Sequence, residues 1–232
     1  MTAYVFAPPP APSVAVAGET ARFPVRRIFC VGRNYAAHVR EMGNDEREPP
    51  FFFCKPGDAV VDTGKAIPYP PLTANLHHEV ELVVAIGKTC AGIDPGNALD
   101  SVFGYAAGID LTRRDLQDEA KAMKRPWDWS KAFDNSALCG PLALAAAIGH
   151  PDKGRIWLTV NGDMRQDADL ADMIWGVADI VAACSRAVTL KPGDLIFTGT
   201  PAGVGPLVPG DRLAGGIDGV GDIEATIAPA TP

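Results

Sequence analysis

The sequence predicts an α+β protein that is rich in β-structure. Short apolar stretches recur along its 232 residues, and 21 prolines and 24 glycines spread through the chain interrupt them. This pattern is typical of many turns and short strands, and it disfavours a helical bundle. Because strands and helices do not alternate regularly, a doubly wound sheet or an α/β barrel is also disfavoured.

The strands are predicted from apolar runs and from alternation of apolar and polar residues. In chain order they are RRIFCVG, FFFCK, AVVD, HHEVELVVAIG, SVFGYAAGID, RIWLTVNGD, LKPGDLIFTGT and the closing PGDRLAGGIDGVGDIEATIA. The Asn161–Gly162 pair after RIWLTV indicates a tight hairpin turn.

Up to three helices are predicted. The first is short, with Asn34 as its cap and Gly43 at its end. The second begins at Thr112, with Asp115 three residues on as a variant of the capping box, and runs to about Met123. The third carries an apolar stripe at helical spacing, formed by Met173, Val177, Ile180, Val181, Cys184 and Val188.

Length and composition predict one globular domain, residues 1–232, with residues 1–25 as a short N-terminal extension that packs on it. The net charge of −7 and the absence of a basic run argue against nucleic acid as a partner. No stretch approaches the ~20 apolar residues of a membrane span, and the N-terminus lacks a signal peptide's basic region. The five cysteines are scattered, which predicts free core thiols and a cytoplasmic location.

Two carboxylates inside the apolar stretch HHEVELVVAIG predict a metal site. Glu79 and Glu81 are two residues apart, so in a strand they project to the same face. Adjacent buried carboxylates repel each other and lose hydration unless a cation lies between them. Asp110, which ends the next predicted strand, is a candidate third ligand. An all-oxygen set favours Mg²⁺, Mn²⁺ or Ca²⁺, and the alternative is an edge strand with two ordinary surface glutamates.

Seven stretches between Val31 and Asp211 together resemble the fumarylacetoacetate hydrolase superfamily, and within it the short bacterial acylpyruvate hydrolases. They follow the family's order as VGRNYAAHVREMG, PPFFFCKPGDAVV, HHEVELVVAIGK, GYAAGIDLTRRDLQ, WSKAFDNSALCGP, VNGDMRQDADLADMIWGVADIVA and LKPGDLIFTGTPAGVGPLVPGD. The resemblance implies a mixed β-sandwich roll, a homodimer and bound Mg²⁺, with Mn²⁺ as a substitute. It places the family's metal ligands on Glu79, Glu81 and Asp110.

The resemblance implies roles for further residues. His38 and Glu41, three apart on the first predicted helix, correspond to a dyad that activates water. Lys131 corresponds to the residue that stabilises the oxyanion or enolate. The implied substrate contacts are Arg33, Lys55, Arg114, Gln117, Gly199 and Thr200. Without the resemblance these residues are interpreted as a surface His–Glu pair, solvated basic side chains and a glycine-rich turn.

The implied reaction is metal-dependent hydrolysis of a small 2-oxo acid, above all of fumarylpyruvate to fumarate and pyruvate in gentisate catabolism. Decarboxylation of oxaloacetate, or another isomerisation or decarboxylation of a 2-oxo acid, is available on the same scaffold and stays open. A binding protein with structural Ca²⁺ is the non-enzyme alternative. A base and a lysine beside the metal favour the enzyme, because a structural calcium site needs neither.

Overall fold

The structure, a computed structural model, describes residues 3–35 and 48–230. The strands are β1 Ser13–Ala15, β2 Arg22–Pro24, β3 Arg27–Val31, β4 Phe52–Lys55, β5 Val60–Asp62, β6 Lys65–Pro68, β7 Leu76–His78, β8 Val80–Ile86, β9 Val102–Asp110, β10 Thr112–Arg113, β11 Ala137–Cys139, β12 Ala143–Leu144, β13 Arg155–Val160, β14 Asp163–Asp169, β15 Asp194–Phe197, β16 Gly205–Leu207, β17 Arg212–Ile217 and β18 Gly221–Ala228. The α-helices are Pro95–Ala98, Arg114–Ala122, Asp128–Lys131, Ala145–Ile148 and Val177–Ala187. Turns of 3₁₀ helix lie at Gly57–Ala59, Leu99–Ser101 and Leu170–Asp172.

Two mixed sheets dominate the described part of the chain. The larger has eight strands, in the order β4-β3-β15-β8-β9-β11-β5 with β12 paired to β9, and the smaller has the order β14-β13-β17-β18-β6. Most neighbours are antiparallel, whereas β15 with β3, β11 with β5 and β18 with β6 are parallel. Strands β10, β7 and β16 form a third, short sheet. The predicted β-rich α+β class is confirmed.

The eight-stranded sheet has an apolar cluster on each face. Along β8, Leu82 and Val84 belong to the larger cluster, whereas Val83 and Ala85 belong to the smaller one. Burying a side chain of this size stabilises the fold by about 1.5 to 3 kcal/mol. Because side chains alternate along a strand, Glu81 faces the same side of the sheet as Val83, which belongs to the smaller cluster.

The N-terminal hairpin β1-β2 closes over the smaller cluster. Val14 and Phe23 are buried within that cluster. Two backbone hydrogen bonds of 2.9 Å, from Ala17 to Leu142 and from Leu142 to Ala15, fix the hairpin to the chain before β12.

The stretch HHEVELVVAIG is not one continuous strand, so that prediction is wrong. It divides at Glu79 into β7, in the short sheet, and β8, in the large sheet. Val80 is paired with Ile109 of β9, and its backbone N–H donates to the side-chain oxygen of Gln166 at 3.0 Å. The carbonyl of Glu79 still accepts from Asp110 at 2.8 Å, which holds these two carboxylate residues together.

The predicted start of the second helix at Thr112 is also wrong. Thr112 lies in β10 opposite His77, and the helix runs over Arg114–Ala122. Asp115 does not form a capping box, because its carboxylate accepts from the Thr73 hydroxyl at 2.6 Å and ties the preceding loop to the helix.

The third predicted helix is present over Val177–Ala187, shorter at both ends than its apolar stripe. Met173 precedes the helix and Val188 follows it as the C-cap residue. The predicted Asn161–Gly162 turn is confirmed, with φ angles of 56° and 88° that suit a tight hairpin. The first predicted helix falls almost entirely outside the described residues.

The five cysteines are free, and four of them are buried. Cys54 is exposed, so the prediction of a core thiol is wrong at that position. It lies in β4 between two residues that face the opposite side of the sheet, Phe53 and Lys55, and therefore points outward. No helix within residues 3–35 and 48–230 is long and apolar enough to cross a bilayer.

Candidate active site

Three buried carboxylates converge at one end of the large sheet. Glu79 lies between β7 and β8, Glu81 lies in β8, and Asp110 ends β9. One oxygen atom from each residue lies within 4.8 Å of the other two. Relative exposures are 6% for Glu79, 1% for Glu81 and 0% for Asp110. The structure therefore assembles the three predicted metal ligands.

Lys131 reaches this cluster from the end of the helix Asp128–Lys131. Its Nζ lies 2.7 Å from Glu79 Oε2, 2.8 Å from Asp110 Oδ2 and 2.6 Å from the Thr112 hydroxyl. Burial works to lower the pKa of Lys131, but the charges of Asp110 and Glu79 outweigh it and the pKa is raised. The side chain is therefore an ammonium ion held between two carboxylates.

Lys55, at the end of β4, is a second buried lysine beside Asp110. Its Nζ lies 2.8 Å from Asp110 Oδ1, an ion-pair contact that is not aligned as a hydrogen bond. The same Nζ donates to the carbonyls of Leu111, at 3.3 Å, and Lys131. Lys55 thus links Asp110 to the backbone that carries the other lysine.

Arg114 and Gln117 lie one turn apart on the helix Arg114–Ala122, and both are buried. The Arg114 guanidinium donates to Glu79 Oε1 and to the Gln117 side-chain oxygen. Its Nε donates to His77 Nδ1 at 3.4 Å. Burial, together with the Arg114 charge, lowers the pKa of His77 to about 4, so this histidine accepts as a neutral ring. Arg114 is held rigidly at the edge of the cluster.

Glu81 is fixed by the glycine-rich loop after β15. The backbone N–H of Gly199 donates to Glu81 Oε2 at 2.7 Å. Burial, then the charges of Asp110 and Glu79, raises the pKa of Glu81 well above its ordinary value, although Lys131 and the Gly199 N–H oppose this. A divalent cation would remove that repulsion, and the all-oxygen donor set suits Mg²⁺ or Mn²⁺. The residues present fit such an ion.

Thr200 belongs to a buried hydrogen-bond network. Its hydroxyl donates to the Val80 carbonyl and accepts from Gln166 Nε2, both at 2.8 Å. The Gln166 oxygen accepts from the Val80 N–H and lies 3.0 Å from His78 Nδ1. Gln166 therefore joins the loop of Thr200 to the strand that carries the glutamates. Nothing in the local residue pattern marks Gln166, which lies in the polar stretch DMRQDAD.

Among the remaining predicted residues, the structure describes Arg33, which lies two residues after the end of β3. Arg33 stacks on the Phe51 ring, with Cζ 5.4 Å from its centroid. Its guanidinium also lies 3.7 Å from the carboxylate of Glu48. His38 and Glu41 lie outside the described residues, so their predicted role rests on the sequence.

Comparison with known proteins matches residues 27–228 to a family model described as fumarylacetoacetate (FAA) hydrolase C-terminal. The crystal structure of fumarylpyruvate hydrolase from Pseudomonas aeruginosa in complex with Mn²⁺ and pyruvate is 51% identical, with a TM-score of 0.95 over 97% of this chain and 99% of that chain. Fumarylpyruvate hydrolase of Ralstonia sp is 41% identical over 183 residues, which cover 79% of this chain and 95% of the relative. The mitochondrial oxaloacetate tautomerase FAHD1 of Homo sapiens is 43% identical over 195 residues, which cover 84% of this chain and 88% of the relative.

Proposed function

The chain belongs to the fumarylacetoacetate hydrolase family, and we propose that it is a metal-dependent acylpyruvate hydrolase whose substrate is fumarylpyruvate. The observation that carries this proposal is the buried set of three carboxylates with Lys131 between two of them. A relative 51% identical to this chain was solved with Mn²⁺ and pyruvate. Pyruvate is the product that cleavage of any acylpyruvate releases.

The proposed reaction consumes one water molecule. The water oxygen bonds to the acyl carbonyl carbon, and the carbon–carbon bond to the neighbouring methylene breaks. Its electron pair moves onto the 2-oxo group as an enolate, and a proton added to the methylene carbon completes pyruvate. The acyl part leaves as fumarate.

A divalent cation held by Glu79, Glu81 and Asp110 would supply a Lewis acid toward the 2-oxo group and the adjacent carboxylate. Lys131 is already charged and buried beside these carboxylates, so it stabilises negative charge as it develops on the enolate oxygen. Arg114 is prevented from turning by Glu79 and Gln117, and it presents a fixed positive charge to the substrate carboxylate.

We assign activation of the attacking water to His38 and Glu41. A carboxylate beside an imidazole orients the ring and raises its basicity, as removal of a proton from water requires. This assignment rests on the resemblance of the stretch NYAAHVREMG to the family. We also propose Mg²⁺ as the physiological ion, a homodimer, a cytoplasmic location and a role in gentisate catabolism.

The deciding experiment follows the enol absorbance of fumarylpyruvate with Mg²⁺, with Mn²⁺ and with EDTA. We expect metal-dependent loss of absorbance with equal amounts of fumarate and pyruvate formed. Glu79→Ala and His38→Ala should abolish it. Failure of the metal-loaded protein to form fumarate would contradict the proposal.

A second candidate is tautomerisation of oxaloacetate, which is favoured by the 43% identity to the human oxaloacetate tautomerase. That reaction moves a proton between the oxygen and the methylene carbon of a 2-oxo acid and needs no attacking water. Two assays run in parallel on oxaloacetate separate these reactions: loss of the enol absorbance reports tautomerisation, and release of CO₂ reports decarboxylation. Turnover of oxaloacetate without turnover of fumarylpyruvate would favour this candidate.

A further inference from the structure

An aromatic shelf, formed by Phe51, Phe53 and Trp127, begins at the lysine of the active site. The Lys131 Nζ lies 5.0 Å from the centroid of the Phe53 ring. The Trp127 ring lies 5.7 Å from Phe53 and 5.4 Å from Phe51, which it meets edge-on at 78°. The shelf therefore leads outward from the carboxylate cluster.

Gly32 fixes the outer end of the aromatic shelf. A Cβ atom at this position would lie 2.1 Å from the ring of Phe51, so only glycine lets the ring pack there. The shelf is thus a defined surface, with one ring held against the backbone after β3.

Two cations lie over the outer end of the aromatic shelf. Lys121 Nζ is 5.6 Å from the Trp127 centroid, and Arg33 Cζ is 5.4 Å from the Phe51 centroid. Their side chains are 27% and 24% exposed. Among the described residues, Lys121 pairs with Asp118 at 3.8 Å and Arg33 pairs with Glu48 at 3.7 Å, and both carboxylates are mostly exposed. Pairs of this kind contribute little, so both cations retain capacity for an anion.

The positive charges act on a common region. Burial lowers the pKa of Lys121, and the charge of Arg114 lowers it further. Arg33 acts in the same direction, while Asp118 and Glu79 oppose it. An anion placed between such cations gains stability and relieves their mutual repulsion.

One helix face connects this region to the metal ligands. Arg114, Gln117 and Lys121 recur at positions i, i+3 and i+7, so they lie along one side of the helix Arg114–Ala122. Seven residues span about 10 Å along the axis. The extended chain of fumarylpyruvate runs roughly 6 Å from its 2-oxo carbon to its distal carboxylate carbon, given five carbon–carbon bonds. The length of helix between Arg114 and Lys121 therefore exceeds the length of the substrate chain, and a lysine side chain is long enough to span the difference.

We propose that Lys121 and Arg33, above the aromatic shelf, bind the carboxylate at the far end of the acyl group. The flat, unsaturated acyl chain stacks along Phe53 and Trp127 on its way out from Lys131. The inference rests on the proposed function and deepens it, since it names the substrate class as acylpyruvates that end in a carboxylate.

The test compares fumarylpyruvate with acetylpyruvate, which lacks the distal carboxylate. For Lys121→Met we expect the ratio of kcat/KM on fumarylpyruvate to kcat/KM on acetylpyruvate to fall about 10- to 100-fold, the range for a hydrogen bond to a charged group. Arg33→Gln should lower the ratio in the same way, and Lys121→Arg should restore most of it. Lys88→Met, at an exposed lysine elsewhere, is the matched control. An unchanged ratio in both Lys121→Met and Arg33→Gln would overturn the inference.

A binding experiment separates this inference from the proposed function. If the wild-type protein turns over neither acylpyruvate, the proposed function fails, and fumarate binding still tests the subsite. Fumarate is titrated calorimetrically into protein saturated with Mn²⁺ and pyruvate. The inference stands if Lys121→Met weakens fumarate binding about 10-fold or more, and it is overturned if the variant binds fumarate as the wild type does.

Discussion

The inner and outer halves of the site are built differently. The inner half is formed by Glu79, Glu81, Asp110 and Lys131, which lie on or between strands and at a helix end. All four side chains are buried; Lys131 pairs with Glu79 and Asp110, and Glu81 accepts from the Gly199 N–H. The outer half is the aromatic shelf with Lys121 and Arg33, and both of its cations are partly exposed and loosely paired.

Desolvation explains this difference. An unpaired charge in the interior is strongly destabilising, so each inner residue must be held by others and few substitutions are tolerated there. Loosely paired charges near solvent have no such requirement, and loops can change them without loss of the fold. We therefore expect the inner half to set the reaction chemistry that 2-oxo acids share and the outer half to set which 2-oxo acid binds.

The largest effect should follow loss of an inner carboxylate. Glu81→Gln keeps the shape of the side chain but removes a charged ligand, so we expect kcat/KM to fall about 1000-fold, or about 4 kcal/mol. Mn²⁺ binding, measured by calorimetry, should weaken in parallel. Glu224→Gln, at an exposed glutamate, is the control. Retained Mn²⁺ affinity in Glu81→Gln would remove Glu81 from the ligand set.

Lys131→Met should show that the inner charges depend on each other for stability. Without the ammonium, Glu79 and Asp110 lose a buried partner, and we expect the free energy of unfolding in EDTA to fall by about 3 kcal/mol. Saturating Mn²⁺ should restore part of the loss, because a cation again lies among the carboxylates. Denaturant unfolding measures both values, with the exposed Lys65→Met as control. An equal loss with and without Mn²⁺ would contradict this explanation.

Gln166→Leu tests a residue that supports the inner half without being charged. It removes the bonds to Val80 and Thr200 while keeping a similar volume. We expect kcat/KM and Mn²⁺ affinity to fall together by about 10- to 100-fold, as for other residues that orient metal ligands. A fall in stability with unchanged Mn²⁺ affinity would limit Gln166 to the fold.

The pH dependence of stability should report the repulsion within the inner half. Because the pKa of Glu81 is raised above its ordinary 4.5, the folded metal-free protein holds a proton that the unfolded chain releases. The free energy of unfolding should therefore fall as pH rises above 4.5, by at most about 1.4 kcal/mol per pH unit for this group. Denaturant unfolding in EDTA should show this slope as the difference between the wild type and Glu81→Gln, since the lowered pKa of His77 adds an opposite slope to both proteins, and Glu224→Gln should behave as the wild type. If Glu81→Gln kept the full slope, another group would be responsible.

Much of the inner half was predictable because strand periodicity is local. Glu79 and Glu81 stand out as charges inside an apolar stretch, and Asp110 ends the next predicted strand. Lys131 has no such signature, and only the resemblance indicated it. The break at Glu79 was not predictable, because it depends on a hydrogen bond from Val80 to Gln166, which lies 86 residues further along the chain.

In the outer half, the resemblance indicated Arg33 as a substrate contact, and the other residues were missed for the same physical reason. Lys121 and Trp127 have the appearance of a solvated helix end and a loop aromatic, and only their contact through space gives them a common role. Local propensity also failed at Thr112, whose hydroxyl accepts from Lys131 instead of capping the helix. In each case a tertiary contact overrides the local preference.

The smallest effect should come from the aromatic shelf. Trp127→Leu keeps an apolar side chain but removes the ring beneath Lys121. A contact between a cation and an aromatic ring at a partly exposed site contributes about 0.5 to 1 kcal/mol. We therefore expect KM for fumarylpyruvate to rise about 2- to 5-fold and kcat to change less. Trp129→Leu, at a tryptophan that is 78% exposed, is the matched control. A larger fall in kcat than rise in KM would mean that Trp127 also positions Lys131 through Phe53. The two halves of the site would then act as one unit, and substrate choice would not be separable from the chemistry.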